Sequence, residues 1–126
     1  MATSPQDLGK AFSEHYYGAF SKNRAELFQY YHPQAMLTFE GAQVSGRDAI
    51  SQKLTSLPFQ QVQHVVTTVD VQPVPACDGA IIVQILGQLK TDNDPPHGFV
   101  QVFTIFPING NHLIVNDMFR LVLHNA

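Results

Sequence analysis

Asp117 is the residue whose setting most suggests chemistry. It lies in NDMFRLVL, where Leu113, Val115, Asp117, Phe119, Leu121 and Leu123 share one face of an extended strand. A carboxylate on an apolar face has its charged form disfavoured, so its pKa rises unless a partner holds it. A general acid or base is made this way in a hydrophobic pocket. The same pattern suits a structural carboxylate held by Arg120, a histidine, a tyrosine hydroxyl or backbone amides. No second carboxylate stands at a fixed spacing to complete an acid–base pair, which favours the structural role. His64, in VQHVV, falls on an interior face with Val62 and Val66. A lone histidine there is more often a core residue than a ligand or base.

The segment QLKTDNDPPHGF gathers Asp92, Asn93 and Asp94. A calcium loop needs oxygens at alternate positions, then a glycine and a later glutamate. Here Pro95 and Pro96 stand where the loop should continue, and no glutamate follows. That leaves a solvated turn or an acidic edge facing a positive partner. The six histidines (15, 32, 64, 97, 112 and 124) show no His-x-x-x-His pair and no cysteine partner, so neither zinc nor any other metal is expected. No Gly-x-Ser-x-Gly, phosphate loop or dinucleotide fingerprint appears, and no cofactor is expected. Glu40 follows Phe39 at a strand end, before Gly41. This suits an exposed apolar anchor with a charged rim, or simply a half-buried Phe beside a solvated Glu.

The elements that must carry these residues follow from periodicity. Ser4-Pro5-Gln6-Asp7 opens a helix with a capping serine, an early proline and an acid in the first turn. Leu8, Ala11, Phe12, His15, Tyr16 and Ala19 continue it at helical spacing. Asn23 caps a short helix that ends near His32, before Pro33. Residues 35–40 read as a strand and 46–57 as a third helix. The second half holds four long β-branched segments, 62–74, 80–91, 99–108 and 112–123, the last two joined by Asn109-Gly110. The expected class is α+β, a curved antiparallel sheet with three helices from the N-terminal half on one face. Segments apolar on both sides, such as AIIVQIL, require a second cover, and a second copy of the chain supplies it most simply.

Composition narrows the function classes. The 126 residues fit one domain, 1–126, with a real core. Charged residues are 13%, about half the usual share, which points to an oligomer. A net charge of −3 gives no footprint for nucleic acid. A single cysteine, Cys77, is expected in a reducing intracellular compartment. The polar first residues predict no signal peptide, and no apolar run approaches the roughly 20 residues of a membrane helix.

Five blocks in order, HYYGAF, LTFEG, SLPFQQVQH, GQLKTDNDPPHGFVQVF and NDMFRLVLHN, resemble the nuclear transport factor 2 family over nearly the whole chain. The resemblance implies a cone of helices against a curved sheet, dimerised through the sheet's outer face. It also implies a non-enzymatic carrier without catalytic residues. The partners it implies are the GTPase Ran in its GDP state and phenylalanine-glycine (FxFG) nucleoporin repeats, with Ran-GDP imported through the nuclear pore. The implied location is cytoplasm and nucleus, concentrated at the nuclear envelope. Carried over by position, Glu40, Asp92 and Asp94 form an acidic rim for Ran lysines. Phe39, Leu57, Val62, Met118 and Phe119 form the cavity for an aromatic side chain of Ran. His64 and Asp117, placed by their strand patterns rather than by the resemblance, are candidate polar residues of that cavity. Enzymes share this fold class and place an Asp or His in the cone, so an enzyme is the alternative. Three departures stand out: Phe39 replaces a frequent Trp, Asn93 replaces a frequent acid, and residues 3–6 lack the aromatic usual in the repeat-binding site.

Overall fold

The structure, a computed structural model, describes residues 4–123; Thr3, His124 and Asn125 of the segments above lie outside them. Helix α1 (Pro5–Lys22) begins as its sequence dictates, with the Ser4 hydroxyl accepting from the Asp7 N–H. Asn23 then caps a 3-10 helix (Arg24–Tyr30) by accepting from the Ala25 N–H. Strands β1 (Tyr31–Phe39) and β2 (Ala42–Ser45) precede helix α2 (Arg47–Thr55). The long strands β3 (Val62–Pro73), β4 (Ile81–Thr91), β5 (His97–Ile108) and β6 (Asn111–Val122) follow. Together they form one curved, unclosed sheet in the order β2-β1-β6-β5-β4-β3.

The α+β class and the four long strands that follow the last helix agree with the sequence. The sheet is mixed, however, because β1 runs parallel to β6. Strand β1 also starts at Tyr31 rather than at residue 35. Its register on β6 slips between Tyr31 and Met36, a break that contains Pro33, which has no N–H to give the ladder. Strand β2 is an addition to the sequence reading. Glu40 and Gly41 both have positive φ, 52° and 86°, and make the tight two-residue turn that returns the chain antiparallel. Asn109 and Gly110 do the same between β5 and β6, as expected.

Strict alternation fails once in β6. The register shifts between Thr104 and Ile105, so Val115 is an extra residue on β6. Ile114, not Leu113, takes the interior position before Asp117. From Asp117 onward alternation holds: Asp117 and Phe119 point inward and Met118 outward. The inner face of the sheet packs against Tyr16, Tyr17 and Phe20 of α1, and Ile50 and Leu54 of α2 complete the core.

Candidate functional site

Between the inner face and the helices the chain leaves a cavity of about 350 Å³. Its walls are Leu37 and Phe39 of β1, Leu54 of α2, Leu57, Pro58 and Phe59 of the following loop, Val62, Leu89, Phe119 and Leu121. Phe39 and Phe119 stack with centroids 4.9 Å apart, and Phe119 stacks in turn on Phe99. Glu40 lines it from the turn between β1 and β2, Asp94 from the connection between β4 and β5, and His97 from the start of β5. Glu40 is fixed there by position and by bonding. Its backbone N–H donates to the Phe119 carbonyl and its carboxylate accepts from the Leu121 N–H. Asp94 accepts from the Thr91 hydroxyl and donates its N–H to the Thr91 carbonyl.

Further polar lining comes from Tyr16, His64, Gln101 and Asp117. Asp117 is buried, and both its oxygens are occupied. Tyr31 donates to one at 2.7 Å and the Gln101 amide to the other at 2.8 Å. Tyr17 donates to the Gln101 carbonyl at 2.7 Å. Because Tyr31 gives its only proton to Asp117, Tyr16 must be the donor in the 2.7 Å Tyr16–Tyr31 bond. Burial raises the Asp117 pKa to about 6, against the lowering effect of Gln101 and Tyr31. Burial, and next the Asp117 charge, push the Tyr16, Tyr17 and Tyr31 hydroxyls well above their ordinary pKa. His64 is stacked on Tyr17 at 4.4 Å and meets Phe20 and Phe99 edge-on. Its Nδ1 is buried without a partner, and burial lowers its pKa to about 4.

A family model described as the nuclear transport factor 2 domain matches residues 8–121. The chain is 46% identical to a protein named probable nuclear transport factor 2 from Caenorhabditis elegans, covering 95% of this chain and 94% of that one. The chain belongs to the nuclear transport factor 2 family. The solved nuclear transport factor 2 from Cryptosporidium parvum superposes with a TM-score of 0.88 at 42% identity, covering 97% of this chain and 99% of that one. A putative scytalone dehydratase from Novosphingobium aromaticivorans has a TM-score of 0.76 at 14% identity, over 90% of this chain and 81% of that one. That likeness is of fold alone.

Of the candidate positions, from the family resemblance and from the strand patterns of His64 and Asp117, the structure brings most together and separates two. Phe39, Glu40, Leu57, Val62, His64, Asp94, Asp117 and Phe119 all line the one cavity. Met118 does not. It is 54% exposed, on the opposite face of the sheet, because neighbours in a strand point to opposite sides. Asp92 does not line the cavity either. Its carboxylate accepts from the Gln60 and Gln61 N–H groups behind the lip. Val66, grouped with His64 by alternation, is the last residue in register before the shift in β3 and is 38% exposed. Gln101, which lines the cavity and holds Asp117, is a candidate-site residue that the sequence reading did not single out. It sits in FVQVF, flanked at two-residue spacing by Phe99 and Phe103, the same signal that singled out Asp117. Among the described residues no three His, Cys, Asp or Glu side chains converge as a metal site requires. No helix of the described residues is long and apolar enough to cross a membrane.

Proposed function

We propose that this chain is a nuclear transport carrier. It binds the small GTPase Ran in its GDP state and phenylalanine-glycine repeats of nucleoporins, acts as a homodimer, and brings Ran-GDP into the nucleus through the pore. It works between cytoplasm and nucleus, concentrated at the nuclear envelope, and catalyses no reaction. The relatives named nuclear transport factor 2 support the transport role. The observation that carries the reading is an apolar, aromatic-lined cavity that also has Glu40 and Asp94 in its lining. An aromatic side chain buried in such a cavity supplies most of the affinity, while rim carboxylates orient a basic partner and speed its approach. A small apolar substrate has no use for that pair of carboxylates. Asp117 further supports a non-enzymatic role, since both its oxygens already accept hydrogen bonds.

Nucleotide sensing needs no contact with the nucleotide. The carrier distinguishes the two states if only the GDP form of Ran presents the aromatic side chain. Titration of the purified protein with Ran loaded with GDP, and separately with a GTP analogue, tests this. Binding confined to the GDP form is expected. Equal binding in both states, or none, overturns the carrier reading.

A further inference from the structure

The loop that joins α2 to β3 forms one lip of the cavity, with Leu57, Pro58 and Phe59 in its wall. Two side chains from elsewhere in the chain hold it from two sides. Arg24, at the start of the 3-10 helix, donates from Nη2 to the Phe59 carbonyl at 2.9 Å. Its guanidinium lies over the Phe59 ring, 4.7 Å from the centroid, and 6.0 Å from that of Phe20. On the other side Asp92 Oδ1 accepts from the Gln61 N–H at 2.9 Å and the Gln60 N–H at 3.2 Å. The Asp92 N–H donates back to the Gln61 carbonyl at 2.9 Å. Asp92 takes a left-handed backbone, φ 48°, and the Lys90 ammonium donates to its carbonyl.

We infer that Arg24 and Asp92 are positioning residues that clasp this lip, and that the cavity's capacity to receive a partner's aromatic side chain depends on the clasp. The inference rests on the carrier reading only for the identity of the partner. Without the clasp the loop has no regular hydrogen-bonded ladder to set Phe59 against the wall. A side chain entering the cavity would then first have to order the lip, and affinity falls by that ordering.

Asp92 contributes two separable things, an acceptor for the lip and a negative charge. Asparagine keeps a carbonyl oxygen for Gln60 and Gln61 and tolerates a left-handed backbone, but it removes the charge. Glycine tolerates that backbone and removes the acceptor. Arg24→Met keeps an apolar stem and removes both the donor and the cation. Arg24→Lys keeps a cation and is the milder variant should methionine disturb folding.

The test uses the full chain in these variants, with three measurements. They are amide hydrogen exchange at Gln60 and Gln61, binding of indole followed by NMR, and dissociation of Ran-GDP. Indole is aromatic and uncharged, so it reports the cavity without responding to rim charge. Arg24→Met and Asp92→Gly are expected to lose about tenfold in protection at both amides and in indole affinity, and to release Ran-GDP about tenfold faster. Arg24→Lys should lie between Arg24→Met and the parent. Asp92→Asn should match the parent in exchange and indole binding, even if loss of its charge weakens Ran binding. The inference is overturned if Arg24→Met and Asp92→Gly match the parent in exchange and indole affinity, if Asp92→Asn behaves like Asp92→Gly with indole, or if indole does not enter the parent cavity. A parent that binds indole but not Ran-GDP refutes the carrier reading and leaves the clasp standing.

Discussion

Asp117 and His64 line the same cavity with pKa values moved in opposite directions by the same cause, burial. The Asp117 value rises from 3.8 to about 6, so its contribution to stability is full below 3.8 and is lost as pH rises through 6. The His64 value falls from 6.5 to about 4, so its contribution is full above 6.5 and is lost as pH falls through 4. Between those limits the folded chain takes up a proton on Asp117 where the unfolded chain takes one up on His64, and the two slopes nearly cancel. Single substitutions should expose each in turn. Asp117→Asn leaves His64, and stability relative to the parent should fall as pH drops from about 6.5 to 4, at up to about 1.4 kcal/mol per pH unit. His64→Gln leaves Asp117, and relative stability should rise over the same descent. Urea midpoints measured across that range decide it, and parallel curves for all three proteins refute it. The sequence carried half of this. Alternation placed Asp117 inside, and a tyrosine hydroxyl was among its expected holders. Gln101 carried the same alternation signal and went unread, while its pairing with Asp117 and the Tyr16–Tyr31–Asp117 relay were not legible, because they join residues up to 86 positions apart with no local spacing rule.

At the scale of elements, the parts with local signals were readable and those defined by partners were not. Ser4 and Asn23 announced their helices, and Asn109-Gly110 its hairpin, because caps and turns are local chemistry. The Glu40-Gly41 turn obeys the same rule but carries an atypical first residue, so β2 was hidden, and with it the device that aims Glu40. The parallel pairing of β1 with β6 has no turn to mark it at all. Nor do the positions where the register shifts, yet one of them depends on a glycine the sequence shows. Gly87 lies opposite the shift between Val66 and Thr68, and an added Cβ would stand 2.3 Å from the Val65 carbonyl oxygen and 3.1 Å from the Phe99 ring. Backbone cannot yield as a side-chain tip does. Gly87→Ala should therefore lower stability by about 2 kcal/mol or more in chemical denaturation. Gly18, exposed on α1 with nothing within 4 Å of an added Cβ, is the control. There alanine should stabilise by about 0.5–1 kcal/mol. Equal effects at the two sites would mean that the β3–β4 pair relaxes freely around position 87.

At the scale of the whole molecule, the low charge content and the twice-apolar strands called for a second cover. Helices cover the inner face of the sheet. On the outer face Ile82, Leu86, Met118 and Val122 remain exposed, and register sets Val100 beside Leu86 and Val102 beside Met118. A surface of this kind is an association site or an aggregation hazard in a free monomer. The proposed homodimer would bury it, with Met118 as its most exposed side chain among these four. This gives Met118 a different job from the one its family position first suggested, and one substitution separates the two. Met118→Lys places a charge on the outer face, and a charge without a partner in a buried contact costs several kcal/mol. The dimer should therefore give way to monomer in sedimentation experiments at micromolar concentration. Indole binding by the monomer should stay at the parent value, because the cavity lies on the other side of the strand. If Met118 lined the cavity, the reverse would be seen, with the mass unchanged and indole affinity lowered. An unchanged mass together with unchanged indole binding would show that another surface covers the sheet, and would remove the outer face from the proposed dimer.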